Sequence, residues 1–151
     1  MRAVLQRVKY GNVSIGGKSV GKIGQGFVLL LGIRDGDTEA ECNYLLEKII
    51  HLRVFEDEAG KMNRSLLEAQ GALLIVSQFT LYADCKKGRR PSFTKAARPE
   101  QAVPLYDYFV TEAKKRGIEA QTGVFGADMQ VTIENDGPVT ILLDTEELMP
   151  A

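Results

Sequence analysis

Two continuous apolar runs constrain this chain most: FVLLL at residues 27–31 and ALLIV at residues 72–76. Both have the length of a strand and are far too short to span a bilayer. The first is bounded by Gly26 and by Asp35-Gly36, so residues 27–33 read as a central strand. The second continues through residue 79 into Thr80-Leu81-Tyr82. Around them the pattern is mostly strand. Residues 2–8, 12–15, 19–23, 51–55, 118–122, 129–134 and 139–143 read as further strands, the last two joined as a hairpin through Asn135-Asp136-Gly137. Only two stretches carry helical spacing. One follows a capping box at Thr38 and Glu41 and places Leu45, Leu46, Ile49 and Ile50 on one face. The other lies between Pro99 and Arg116 and stops at Gly117; Pro104 makes it start late or kink. The acidic C-terminal tail is expected to fray. Strands thus clearly outnumber helices, in the hairpin-rich order of an α+β domain. The expected fold is a curved, partly closed, mainly antiparallel sheet or barrel with two or three helices packed outside.

The length, 151 residues, suits one domain over residues 1–151, large enough for a core without metals or disulfides. Cys42 and Cys85 are too few for a disulfide framework. The opening MRAVLQRVKYGNVSI lacks the apolar segment of a signal peptide, so a cytoplasmic location is expected. The net charge of −1 argues against a dedicated nucleic-acid binder. Its distribution is uneven. Lys86, Lys87, Arg89, Arg90, Lys95 and Arg98 follow one another with no acidic residue from 86 to 98. Such a run is either a solvated loop or a local phosphate-binding patch.

Several catalytic devices are excluded by the inventory. His51 is the only histidine, in an apolar context with no cue to a partner, so it reads as a packed or surface residue. No metal-ligand spacing appears, and Gly21, Gly24 and Gly26 make neither a dinucleotide-binding turn nor a phosphate loop. Neither a metal nor a cofactor is expected. Two segments remain unusual. SQFTLYA, at residues 77–83, puts Ser77, Gln78 and Thr80 at the end of an apolar strand, where each polar group needs a partner. The residues alone leave open whether these groups bond neighbouring backbone or serve a site. In the second, NDGPVT at residues 135–140, Pro138 enters a strand and therefore needs an edge, a strand start or a bulge. Read alone, it is an ordinary hairpin turn.

Both segments resemble the signature motifs of the D-aminoacyl-tRNA deacylase family. The likeness extends to MRAVLQRV at the start, KGRRPSF at 87–93 and GVFGADMQV at 123–131, and so spans the chain. The resemblance implies a homodimeric hydrolase that needs no metal. It cleaves the ester between a D-amino acid and the terminal ribose of tRNA, accepts glycine and rejects L-aminoacyl-tRNA. It also implies a cis Gly137-Pro138 peptide inserted into the partner's pocket. The catalytic candidates are Ser77, Gln78, Phe79 and Thr80, with the amides of Phe79 and Thr80 as an oxyanion hole. The attacking water would be positioned by the ribose 2′-hydroxyl; Thr80 Oγ as nucleophile ranks second because no base accompanies it. Gly137, Pro138, Met129, Phe125 and Ala127 are the candidates for substrate binding and chiral selection, and Lys86, Lys87, Arg89 and Arg90 for holding the tRNA. Two other readings remain: a small hydrolase using Thr80 or Cys85 on a different ester, and a non-catalytic RNA-binding module.

Overall fold

The computed structural model describes residues 1–150; residue 151 lies outside the described residues. The elements are β1 (Arg2–Ile15), β2 (Lys18–Ile23), β3 (Gly26–Gly32), α1 (Glu39–His51), β4 (Phe55–Glu56), β5 (Met62–Arg64) and β6 (Ala72–Ser77). After β6 come a 3-10 turn (Phe79–Tyr82), α2 (Pro99–Lys115), β7 (Glu119–Thr122), β8 (Gln130–Asp144) and α3 (Thr145–Leu148).

β1 is the spine. β2 and β3 lie antiparallel to it, with Val8 opposite Gly26 and Gly11 opposite Ile23 in one register that holds to Val13 and shifts before Ser14. β8 runs antiparallel to β1 from Ser14↔Gln130 to Arg2↔Asp144. β3 pairs with β6, and β6 with β7, both in parallel. The sheet is therefore mixed: mainly antiparallel, as the hairpin signals suggested, with two parallel joins. The two parallel joins follow from the helices: α1 lies in the crossover from β3 to β6, and α2 in the crossover from β6 to β7. Gly21 in β2 comes so close to β7 that a Cβ there would sit 2.4 Å from the Thr122 carbonyl oxygen. The two ends of the strand path thus meet, and the sheet is nearly closed.

The apolar runs are continuous because β3 and β6 are buried on both faces. Phe27, Leu29, Leu31, Leu73 and Ile75 pack outward against Leu45, Leu46 and Ile49 of α1 and Leu105 and Phe109 of α2. Val28, Leu74 and Val76 pack on the other face with Val8, Val13 and Ile23.

Four local expectations are corrected. β1 is one strand through Gly11, where a side chain would meet Val28 Cγ2 at 2.7 Å. The predicted strand at 51–55 shrinks to Phe55–Glu56, because the apolar face of α1 carries the helix through His51. Residues 135–137 do not turn a hairpin; both halves of β8 stay on β1. The tail does not fray through residue 148. Asp144 caps α3 by accepting from the Glu146 N–H at 3.0 Å, Thr145 is buried, and Tyr44 donates to the Leu148 carbonyl at 2.8 Å. α2 begins at Pro99 in its first turn and carries Pro104 inside.

Candidate active site

The SQFTLYA segment leaves the sheet where β3 and β6 end side by side. The Gln78 N–H donates to the Leu31 carbonyl at 2.9 Å, closing the ladder. The chain then winds into the 3-10 turn, whose first bond runs from the Leu81 N–H to the Gln78 carbonyl at 3.2 Å. The two amides ahead of that bond, at Phe79 and Thr80, lie outside the turn's own ladder, as the opening amides of any helical turn do. Gly32 lets the turn sit this low: a Cβ there would be 3.0 Å from Leu81 Cβ and 3.2 Å from the Gln78 carbonyl oxygen.

A second segment faces the turn. The Asp35 N–H donates to the Lys95 carbonyl and the Ala97 N–H to the Ile33 carbonyl, both at 2.9 Å, which pins residues 94–98 to the end of β3. Between turn and segment lies a cleft of about 680 Å³, walled by Phe79, Phe93, Thr94, Arg98 and Phe125, with Asp35 at its margin. Phe79 is exposed and meets Phe93 edge to face, ring centroids 5.1 Å apart. Phe125 leans on Tyr106 at 6.1 Å.

Thr80 is exposed, and its hydroxyl accepts from the Gln78 side-chain amide, which is no base. His51 lies in a separate groove along α1, beside Glu47 at 3.3 Å. Cys42 is buried with its Sγ 3.6 Å from the Leu105 carbonyl, and burial pushes its thiol up to about 12. It offers no thiolate near neutral pH.

The remaining sequence candidates divide. Phe125 joins Phe79 in the cleft. Ala127 closes the neighbouring turn by donating its N–H to the Val124 carbonyl at 3.1 Å. Met129 packs inward against Gly123 and the Val13 cluster, away from the cleft lining. Lys86, Lys87, Arg89 and Arg90 are all exposed on a loop tied at its base by two bonds between Asp84 and Ser92, at 2.7 and 2.9 Å.

Gly137 and Pro138 are not brought to this cleft. Gln6 pairs with Thr140 and Val8 with Asn135, so four residues of β8 bulge out opposite Arg7 alone. A bulge accommodates a residue without an N–H. Both residues are exposed, and their peptide is cis, as the resemblance implied. Arg7, only 5% exposed, holds the bulge: Nε donates to the Asp136 carbonyl at 3.0 Å and Nη1 to the Val54 carbonyl at 2.7 Å. Asn135 staples it, accepting from the Val139 N–H and donating to Thr140 Oγ1, each at 3.0 Å. Ser77 stands level with Ala3 of β1, four residues from Arg7 and three strands from β8. With about 3.3 Å per residue and 4.8 Å per strand, bulge and turn lie on the order of 20 Å apart along the sheet.

Sequence reading missed Phe93, Arg7 and Asn135 as site residues. Arg7 had a signal: it falls on the same strand face as Ala3 and Leu5, where a charge needs a purpose.

Two amides outside the ladder of an exposed turn, a cleft beside them and an exposed basic loop are the groups that this end of the sheet brings together. A sequence model of the D-Tyr-tRNA(Tyr) deacylase family matches residues 4–144, and the chain belongs to that family. It is 60% identical over 147 residues to a D-aminoacyl-tRNA deacylase of Thermus aquaticus, covering 97% of each chain. It is 59% identical over 148 residues to one of Syntrophomonas wolfei, covering 98% of this chain and 99% of the relative. A solved structure named c-Myc DNA Unwinding Element Binding Protein superposes with a TM-score of 0.91 at 45% identity, each chain fully covered. Another, a probable eukaryotic D-amino acid tRNA deacylase, shares the fold with a TM-score of 0.81 at 21% identity, covering 94% of this chain and 97% of the other.

Proposed function

We propose that this chain, as one domain over residues 1–151, hydrolyses the ester of D-aminoacyl-tRNA in the cytoplasm, releasing free amino acid and tRNA. Glycine mischarged on non-cognate tRNA is a second substrate, and L-aminoacyl-tRNA is rejected. The role is quality control in translation. The observation that supports this reading is that Phe79, at the start of a turn whose amides at Phe79 and Thr80 lie outside its own ladder, lines a cleft whose walls hold no histidine or thiol.

In this mechanism a water oxygen attacks the ester carbonyl carbon, and the amides stabilise the oxyanion that forms. The adjacent ribose 2′-hydroxyl positions the water. Collapse of the intermediate breaks the bond from the carbonyl carbon to the ribose oxygen, and that oxygen leaves with the proton given up by the attacking water. Thr80 Oγ as nucleophile is the lesser alternative, since its one hydrogen-bond partner, the Gln78 amide, cannot accept its proton.

Chiral selection falls to Gly137 and Pro138. At the separation above they cannot serve the cleft of their own chain, which favours a homodimer in which each subunit's bulge enters the other's cleft. There the carbonyl of Gly137 would accept from the substrate ammonium, and rigid main chain around Cα would leave room for hydrogen or a D side chain and clash with an L one. Phe125 walls this pocket with Ala127 in the turn beside it, Met129 packs away from it, and Lys86, Lys87, Arg89 and Arg90 bind the acceptor end of the tRNA.

Deacylation of matched D- and L-aminoacyl-tRNA by the purified protein tests the reading. Rapid loss of the D ester with the L ester spared is the expected result; equal rates defeat it. A second reading, nucleic-acid binding without turnover, draws on the basic loop and on the relative named for binding a DNA unwinding element. Tight RNA or DNA binding with neither ester cleaved would favour it.

A further inference from the structure

At the other end of the 3-10 turn from Phe79 lies a smaller pocket of about 420 Å³ lined by Arg2, Tyr82, Asp84, Cys85, Lys86 and Lys95. Its three cations come from three separate segments: β1, the basic loop, and the stretch leading into α2. We propose that Arg2, Lys86 and Lys95 seat one phosphodiester of the tRNA acceptor strand, the one next to the terminal nucleoside. The identity of the strand rests on the deacylase reading above.

Arg2 is held in place on three sides. Its Nε donates to Asp144 at 2.9 Å, its Nη1 to the Leu81 carbonyl at 2.8 Å, and its guanidinium lies 4.5 Å over the Tyr82 ring. Lys95 is fixed through its backbone, whose carbonyl accepts from the Asp35 N–H at 2.9 Å. The Lys86 N–H donates to Asp84 Oδ1 at 3.0 Å. Among the described residues neither lysine ammonium has a carboxylate within ion-pair distance. Asp144 balances Arg2, and Asp84 offsets one lysine, so the pocket keeps a net positive charge. A phosphodiester monoanion matches it.

Position sets which phosphate this is. Phe79 lines the cleft and Tyr82 the pocket, and they are three residues apart on one turn, about 6 Å at the rise of a 3-10 helix. On the facing segment Thr94 and Ala96 line the cleft while Lys95 lines the pocket. On both segments, residues one to three apart in sequence line the two cavities. A terminal nucleoside with its ester in the cleft carries its 5′-phosphate within reach of the pocket.

The test compares wild type, Lys95→Ala and Lys95→Arg on two esters, D-tyrosyl-tRNA and D-tyrosyl-adenosine, the second of which has no phosphodiester. For Lys95→Ala the ratio of kcat/KM on the tRNA ester to that on the nucleoside ester falls about tenfold, through KM, and Lys95→Arg restores most of it. A ratio equal to wild type overturns the seat. If wild type cleaves neither ester, the deacylase reading fails by itself, and the seat is read from Cys85, the exposed thiol in its wall. A CCA trinucleotide should slow alkylation of Cys85 in wild type and not in Lys95→Ala. No protection, or equal protection by inorganic phosphate at the same concentration, overturns the strand assignment.

Discussion

Phe79 and Phe93 meet edge to face with their ring centroids 5.1 Å apart, joining the turn that carries the proposed oxyanion donors to the segment that returns from the basic loop. An aromatic pair of this geometry contributes about 1 kcal/mol beyond its buried area. Phe93→Ala, which also removes that buried area, should therefore lower the melting temperature by at least roughly 2–4 °C. It should also cut kcat/KM on D-aminoacyl-tRNA by more than that small loss explains, because the cleft loses a wall. Calorimetry and single-turnover deacylation check the two parts separately. Full activity in the variant would detach Phe93 from the site.

The exposed loop cations predict a salt effect. Each phosphate contact removed lowers the slope of log K against log salt by about one unit. With Lys86, Lys87, Arg89 and Arg90 all replaced by alanine, the slope for tRNA binding should fall by about two to four such units. An unchanged slope in a filter-binding titration returns this run to a solvated loop.

The distance from the bulge to its own chain's 3-10 turn predicts complementation. A Pro138→Ala chain and a Thr80→Trp chain should each be nearly inactive. Mixed, they should recover activity, because one of the two sites in a heterodimer combines an intact cleft with an intact bulge. Native mass spectrometry identifies the species present. No recovery, together with an active monomer, contradicts sites completed across an interface.

Burial raises the Cys42 thiol from 9.0 to about 12 and the Tyr106 phenol from 10.0 to about 12. Both hold their protons in the folded chain at a pH where the unfolded chain releases them. The unfolded state then binds fewer protons, and stability falls as pH rises through this window, starting near 9 for Cys42 and near 10 for Tyr106. The urea midpoint should stay level up to about pH 8.5 and decline beyond it, less steeply in Cys42→Ala. A midpoint flat to pH 11 contradicts the burial argument.

Much of this was legible in the sequence because local chemistry agreed with tertiary packing. Thr38 and Glu41 cap α1 as their spacing predicts, and the runs at 27–31 and 72–76 are strands buried on both sides. The bulge at 136–139 was not legible. Asn-Asp-Gly is a strong turn signal, and only pairing of both flanks with one long partner strand overrides it. The cleft was half legible. Ser77, Gln78 and Thr80 stood out as polar groups at a strand end and the resemblance added Phe79, but Phe93 joins Phe79 only because Asp35 and Ala97 bond residues 94–98 back to β3. Contacts that distant leave no local pattern.

The central claim is that backbone amides and the substrate's own ribose, not a side-chain nucleophile, carry the chemistry. Thr80→Ala keeps both amides. Assayed beside it, a D-aminoacyl-tRNA ending in 2′-deoxyadenosine removes the ribose hydroxyl. The single-turnover rates of the two, each against wild type on the natural ester, test the claim most directly. The account predicts a loss of less than about tenfold for Thr80→Ala and of several orders of magnitude for the deoxy substrate. The reverse pattern, with an acyl group trapped on Thr80, would contradict it.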